Sequence, residues 1–195
     1  MTIAQGFAEP VREQQRTFRA VMDALSRPTA PTPYSSSLGK AGPLQANAYA
    51  IALTLLDFEV SYHLAPSLAE AERHLTFQTG SRRVNDAGQA QFAFIDLRHD
   101  PLDLAAYAQG EPDYPDRSTT VVALCDGAPE SKKLVCRGPG IAASSTLSVP
   151  GLPADFVDQW QANGTRAPLG IDLLFVMPEA IIGLPRSTRI FGEAR

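Results

Sequence analysis

One segment near the C-terminus constrains the fold more than any other. In PLGIDLLFV, Ile171 and Leu173 point to one side of a predicted strand, while Leu174 and Val176 point to the other. A strand that is apolar on both faces has to be covered on both faces, so it belongs near the centre of a sheet. The segment therefore predicts a central strand with packed layers on each side.

The predicted helices come early in the chain and the hairpin-like strand pairs come late. A first helix is expected from Pro10 to a stop at Pro28, with apolar residues at helical spacing: Val11, Phe18, Val21, Met22 and Leu25. A second, nearly apolar helix over residues 44–56 is expected to be buried or to lie in an interface. Ser67 and Glu70 form the pattern of a capping box for a third helix. The fold class predicted is α/β, a mixed β-sheet flanked by helices.

Length and charge limit the classes of function. The chain has 195 residues and a net charge of −4, and we expect a single domain over residues 1–195. Nucleic-acid and anionic membrane surfaces need clustered Lys and Arg, so neither partner is expected. The first residues lack the pattern of a signal peptide, and the longest apolar runs, 51–56 and 173–177, are too short to span a bilayer.

The two cysteines indicate a reducing compartment. Cys125 and Cys136 are expected on neighbouring strands of a hairpin whose turn covers residues 126–131. In that register the two thiols do not face each other, and disulfide geometry tolerates little slack. Two free, buried thiols are therefore expected, and with them a cytoplasmic location.

The histidines and serines do not form a recognisable catalytic or metal-binding pattern. His63, His74 and His99 lie on a predicted strand, helix and loop without metal-ligand spacing, and His74 is expected to face solvent. The run 35–37 of three serines could bind an anion through hydroxyl and amide groups, although a polar loop is the favoured interpretation. Neither a G-x-S-x-G elbow nor a phosphate-binding P-loop is present. No catalytic residue and no metal site are predicted.

The segment RGPGI provides one candidate contact. Arg137 ends a predicted strand, and Gly138 and Gly140 follow it. Glycines there allow either a sharp turn or a close approach of the backbone to a ligand. A cluster of backbone amides can bind phosphate, and Arg137 would assist. The turn is the simpler interpretation, and an anion or partner contact stays open.

Asp172 and Arg186 form a second candidate pair. A carboxylate inside an apolar strand costs several kcal/mol unless a cation or several N–H donors meet it. If the turn between the last two predicted strands spans three residues, Arg186 of LPRSTRI stands opposite Asp172. The pair would then fix the register of these strands, or present Arg186 to an anion or a partner.

Lysine is scarce, which bears on one cofactor. Lys40, Lys132 and Lys133 are the lysines of the chain, and each lies in or beside a predicted loop. A pyridoxal phosphate enzyme needs a desolvated lysine to form a Schiff base. We therefore expect no such cofactor.

Several short motifs occur in a fixed order: TFRAVMDALSRP, ALTLLD, FQTG, FAFID, RGPGI, PLGIDLL and LPRSTRI. In this order they resemble the PhnH family, which supplies a subunit of the bacterial carbon–phosphorus lyase system. The resemblance spans residues 7–190. One departure is that Thr29, rather than the glycine common in the family, follows Pro28, which alters a loop only.

The resemblance implies a fold like that of pyridoxal-phosphate-dependent transferases, reduced in size and without the cofactor. It also implies a homodimer that joins PhnG, PhnI and PhnJ subunits in a core complex. With PhnG, PhnI and PhnL, such a subunit would support formation of a ribose 1-phosphonate 5-triphosphate from ATP and an alkylphosphonate such as methylphosphonate. PhnJ would then cleave the carbon–phosphorus bond. The family assigns no catalytic residue that could be carried over to this chain.

We therefore interpret the chain as an accessory or structural subunit of a phosphonate-activating assembly. In this interpretation the apolar helix and the late strands would supply the dimer and partner surfaces. The alternatives are a free-standing enzyme or binding protein for a phosphorylated small molecule, contacting it through Arg137, Gly138, Gly140 and Arg186, and a pyridoxal phosphate protein.

Overall fold

The computed structural model describes residues 2–126 and 133–193. Its helices are α1 (Pro10–Ser26), α2 (Ala46–Leu55), α3 (Glu72–Thr79) and α4 (Phe156–Gly164). Its strands are β1 (Thr32–Pro33), β2 (Ser61–Leu64), β3 (Arg82–Arg83), β4 (Phe92–Asp96), β5 (Gln109–Glu111), β6 (Tyr114–Ser118), β7 (Thr120–Leu124), β8 (Lys133–Arg137), β9 (Ser145–Ser148), β10 (Asp172–Val176), β11 (Ala180–Leu184) and β12 (Arg189–Glu193). Short 3₁₀ turns cover Pro66–Ala71, Ala87–Gln89 and Leu104–Ala106.

A seven-stranded mixed sheet organises the molecule, in the order β1-β11-β10-β7-β4-β2-β3. The neighbours from β10 to β3 pair in parallel, whereas β11 runs antiparallel to both β10 and β1. The predicted mixed α/β sheet is therefore confirmed. Strand β10 lies third from one edge, next to β7, as the apolar segment predicted.

The two faces of β10 contact two different cores. Leu174 and Val176 pack with helices α1, α2 and α3, whereas Leu173 and Phe175 pack with α4 and the smaller sheet. All four side chains are buried. The alternation in the sequence thus located both layers of the structure.

Helix α1 begins at Pro10 as predicted, but its buried face differs from its apolar stripe. Of the five apolar residues that recur at helical spacing, only Val21 is buried, and the other buried positions are Thr17, Ala20 and Ala24. Small residues are required because α1 runs very close to β11: a Cβ on Gly183 would lie 2.5 Å from the carbonyl oxygen of Ala24. The close approach of the α1 and β11 backbones, rather than the hydrophobicity of the side chains, therefore determines which face of α1 is buried.

Helix α2 is buried within the chain itself. Its residues 47–53 are all buried against the large sheet and the neighbouring helices. The expectation that it and the late strands supply partner surfaces is therefore wrong, because β10 and β11 are covered as well. The expected capping box is also wrong, because the Ser67 hydroxyl hydrogen-bonds to Asp100 instead of to the helix.

A second sheet of three strands, in the order β12-β8-β9, covers the other face together with α4. Strand β8 pairs with β9 and β12, so the predicted hairpin between β7 and β8 is wrong. The turn expected between them lies outside the described residues apart from Asp126. A separate hairpin is formed by β5 and β6.

In the part of the chain that is described, no helix has both the length and the apolar character needed to cross a membrane.

Candidate functional site

The predicted pair of Asp172 and Arg186 is present. Asp172 opens β10, and Arg186 follows the end of β11. Nη2 of Arg186 lies 2.6 Å from Oδ2 of Asp172, Nε lies 3.2 Å from both carboxylate oxygens, and the backbone N–H of Arg186 donates to Oδ1 over 2.7 Å. The turn between the strands is one residue shorter than assumed, because Leu173 pairs with Leu184 and Met177 donates to Ala180. Pro185 is therefore the residue in register with Asp172, and Arg186 reaches the carboxylate from one position further on.

The Arg186 guanidinium directs its donors to the protein itself. Nη1 donates to the carbonyl oxygens of Pro115 at 3.0 Å and Pro168 at 3.4 Å, while Nη2 also donates to the hydroxyl of Ser118. With the bonds to Asp172, all five N–H groups of the guanidinium are used. The side chains of Arg186 and Asp172 are only 19% and 23% exposed. The geometry thus favours the structural role, which ties β6, β10 and the end of β11 together.

The glycines of RGPGI are explained by close backbone packing. Gly138 accepts a hydrogen bond from the Ile141 N–H over 3.1 Å, which closes the predicted turn. A Cβ on Gly138 would lie 3.0 Å from the Ser187 carbonyl oxygen, beside Arg186 in the chain. Gly140 has φ +81°, and a Cβ there would lie 2.4 Å from the carbonyl oxygen of Ser26. The turn therefore joins the end of α1 to the segment that carries Arg186.

Arg137 differs from the other four candidates because it points outward. Its side chain is exposed and its guanidinium carbon lies 5.2 Å from the ring centre of Phe191 on β12. The structure thus brings Gly138, Gly140, Asp172 and Arg186 to one junction and leaves Arg137 on the surface beside it.

A second charged cluster, which the sequence analysis missed, lies where parallel strands β4 and β7 end. Asp96 is 3% exposed and pairs with Arg98, whose Nη2 lies 2.7 Å from Oδ2 and whose Nε lies 3.0 Å from Oδ1. Arg98 also reaches Asp126, with 3.4 Å between Nη1 and Oδ2. Open α/β sheets commonly bind ligands at this edge. The sequence feature that could have revealed this cluster is the alternation of opposite charges in FIDLRHD, directly after a predicted strand.

The electrostatics of this cluster are balanced internally. Burial alone would raise the pKa of Asp96, but hydrogen bonds from the Arg98 side chain and backbone lower it on balance. The Asp96 hydrogen bond in turn raises the pKa of Arg98. Nearby, Asp100 accepts hydrogen bonds from the backbone N–H and the hydroxyl of Ser67. These carboxylates are engaged by the chain's own donors, which is the pattern of a structural cluster.

His74 and the two cysteines serve packing. His74 is buried, contrary to the prediction, and its Nδ1 accepts a hydrogen bond of 3.0 Å from the backbone N–H of Ala4. Burial, with a contribution from the neighbouring Arg73, lowers the pKa of His74. Cys125 and Cys136 are free and buried, as predicted. Among the described residues, no group of three or more His, Cys, Asp or Glu side chains could hold a metal ion.

A cleft of about 130 Å³ lies between α4 and the 3₁₀ turn before β5. The amide of Gln159 there is bonded to Leu104 and Leu102, and that of Asn163 is bonded to Ile171. Sites for drug-sized ligands usually enclose about 300 Å³ or more. This cleft is therefore too small for a nucleotide and offers few free polar atoms.

The fold and the site define an α/β protein in which most of the conspicuous charged groups hold the chain's own elements together. The chain belongs to the PhnH family of bacterial phosphonate metabolism proteins, whose model matches residues 5–191. It is 36% identical over 189 residues to the "Alpha-D-ribose 1-methylphosphonate 5-triphosphate synthase subunit PhnH" of Rhizobium meliloti (strain 1021), covering 96% of this chain and 94% of that protein. It is also 29% identical over 178 residues to the "Putative C-P lyase subunit protein HtxG" of Stutzerimonas stutzeri, covering 91% of this chain and 85% of that protein.

Proposed function

We propose that this chain is a subunit of an assembly that forms ribose 1-methylphosphonate 5-triphosphate from ATP and methylphosphonate. The observation that carries the proposal is similarity over nearly the whole length to two proteins that are both named as subunits. The geometry supports an assembly or structural role, because Arg186 and Asp96 are engaged in internal hydrogen bonds. The proposed role is accessory to the catalysis of the assembly.

A genetic experiment tests this function. The gene is deleted in its host, and growth is measured with either methylphosphonate or inorganic phosphate as the sole phosphorus source. We expect growth to fail on methylphosphonate alone and to return when the gene is supplied on a plasmid. Normal growth of the deletion strain on methylphosphonate would refute the proposal. Stabilisation of the isolated chain by about 2.7 kcal/mol with a nucleotide at one hundred times its Kd would instead favour a free-standing binding protein or enzyme.

The proposed partners are a second copy of the chain and subunits like PhnG, PhnI and PhnJ. Helix α1 supports a protein contact, because Val11, Phe18 and Met22 lie on one flank and are 84%, 50% and 49% exposed. Clustered apolar side chains of this kind mark interaction sites in soluble proteins. For the homodimer, we expect light scattering to give twice the mass of the chain, and Phe18→Glu to give a monomer. A wild-type monomer at micromolar concentration would refute the homodimer.

We further propose that the fold is a reduced form of the pyridoxal-phosphate-dependent transferase fold, used without the cofactor. A seven-stranded mixed sheet with helices on both faces supports this architecture. Lys40 and Lys133 are exposed, whereas a Schiff-base lysine has to be desolvated. Adding pyridoxal phosphate should therefore produce no Schiff-base absorption, and a stable absorption band would contradict the proposal.

We also propose a cytoplasmic location. The free thiols of Cys125 and Cys136 support it, because reduced cysteines persist in that compartment. Cell fractionation followed by immunoblotting tests the proposal. Recovery of the chain in the periplasmic or extracellular fraction would contradict it.

A further inference from the structure

The outward face of the small sheet carries an unusual set of side chains. Leu134, Cys136 and Ile190 point into the core. The residues that alternate with them on β8 and the first part of β12 point outward, and four of these are exposed: Lys133, Arg137, Arg189 and Phe191. We call these four residues the basic face. Val135 lies among them and is half-buried, and the exposed Glu193 follows at the end of β12, opposite Leu134. Three cations thus share one surface in a chain whose net charge is −4.

Two of these cations stand directly opposite each other. In the antiparallel pairing of β8 with β12, Arg137 is the register partner of Arg189. Like charges directly opposite on neighbouring strands destabilise a sheet. The juxtaposition of the two arginines therefore does not stabilise the isolated chain.

Each guanidinium rests on a neutral group rather than on a carboxylate. Arg137 lies over the ring of Phe191, and Nη1 of Arg189 lies 3.5 Å from the position that a Cβ on Gly164 would occupy, at the end of α4. Among the described residues, neither arginine forms an ion pair. By contrast, Arg186 on the same junction is fully paired. Arg137 and Arg189 thus present positive charge that no carboxylate among the described residues pairs with.

The shape and composition indicate the kind of ligand. Small molecules are bound in concave sites, but this is the open face of a three-stranded sheet. Phe191 is 63% exposed and lies beneath the guanidinium of Arg137, and arginine and aromatic residues are enriched at protein–protein hot spots. A protein surface fits this arrangement better than a free phosphate compound does.

We propose that the basic face docks an acidic surface of a companion subunit, with carboxylates opposite Arg137 and Arg189 and an apolar contact to Phe191. The inference rests on the proposed function, because it assumes that the chain works in an assembly. Docking would remove the repulsion between the two arginines by placing opposite charge beside them. Attraction of this kind speeds association and is weakened by salt.

The experiment measures binding of the full chain to its companion subunits, co-expressed from the same genome and purified without it. Affinity is determined by biolayer interferometry at several NaCl concentrations for the wild type, for Arg137→Gln/Arg189→Gln and for the charge reversal Arg137→Glu/Arg189→Glu. The control is Arg82→Glu, since Arg82 is exposed on β3, at the edge of the large sheet and away from both the small sheet and α1. Circular dichroism checks that each variant is folded, and the glutamine pair keeps the test valid if the reversal does not fold.

We expect the glutamine pair to bind at least about tenfold more weakly, with a smaller dependence on salt, and the control to bind as the wild type does. Equal affinity and equal salt dependence for the glutamine pair and the wild type would overturn the inference while leaving the proposed function intact. A wild-type chain that binds no companion subunit contradicts the proposed function itself. Wild-type self-association that the glutamine pair abolishes would assign the basic face to a second copy and overturn the inference. A basic face occupied by ATP, shown by loss of ATP binding in the glutamine pair, would also overturn it.

Discussion

Removing the carboxylate of Asp172 should destabilise the chain substantially. In Asp172→Ala, the guanidinium of Arg186 stays only partly exposed and keeps just neutral partners, the carbonyls of Pro115 and Pro168 and the hydroxyl of Ser118. Breaking a fully buried ion pair costs about 3–5 kcal/mol, whereas an exposed pair contributes about 0–1 kcal/mol. Because roughly a fifth of each side chain is exposed, we expect a loss of about 2–3 kcal/mol.

Urea unfolding of four proteins provides the measurement: wild type, Asp172→Ala, Arg186→Ala and the double variant. A cycle of this kind isolates the interaction of the two residues, and we expect a coupling of about 2 kcal/mol. At about 2–4 °C per kcal/mol for a chain of this size, Asp172→Ala should lower Tm by about 5–10 °C. Arg186→Lys should remain less stable than the wild type, because lysine keeps the charge but lacks the planar set of five donors.

The matched control is the exposed pair of Arg12 and Glu9, whose side chains are 85% and 67% exposed. Alanine variants of that pair should show no measurable coupling, because solvent and salt screen such contacts. A coupling at Asp172 and Arg186 that is as small as that of the control pair would refute the structural role assigned to them.

Three further outcomes are expected. Gly140→Ala should lower the free energy of unfolding in urea by about 2 kcal/mol or more, because its φ is +81° and a Cβ would lie 2.4 Å from a carbonyl oxygen. The control Gly39→Ala should be nearly neutral, because nothing lies within 4 Å of its Cβ position. Equal effects of the two substitutions would contradict the packing argument. Because the pKa of His74 is lowered in the folded chain, the unfolded chain takes up a proton first as the pH falls through about 6.5, so stability should decrease from there until the folded pKa is passed. His74→Gln should remove that slope, and an unchanged slope would show that His74 is not its source. Unfolding followed by fluorescence and circular dichroism should give one coincident transition, as we propose for a single domain over residues 1–195, and two separate transitions would contradict it.

Local pattern predicted the elements that a period in the sequence can specify. The two apolar faces of Ile171 to Val176 gave a central strand and two layers, and Pro10 and Pro28 bracketed α1. These features depend on neighbours within the same segment. The pairing of Asp172 with Arg186 was also accessible, because a carboxylate in a covered strand needs a cation nearby.

Long-range pairing was the part that the sequence did not reveal. Strand β8 was assigned to a hairpin with β7 because the two are adjacent in the chain, whereas it pairs with β12, more than fifty residues away. Similarly, the close approach of Ala24 to Gly183 turns small residues of α1 inward and leaves Phe18 exposed. His74 is buried because the N-terminal segment covers it, and no helical periodicity records that contact.

The central claim is that this chain works as a subunit of a larger assembly, and native mass spectrometry tests it most directly. The chain would be co-expressed with the companion subunits encoded in the same genome, and the complex purified through a tag on one of those subunits. The account predicts that the chain is present in a fixed stoichiometric ratio in the intact complex. A companion complex that forms completely without it, with the chain recovered separately, would contradict the account.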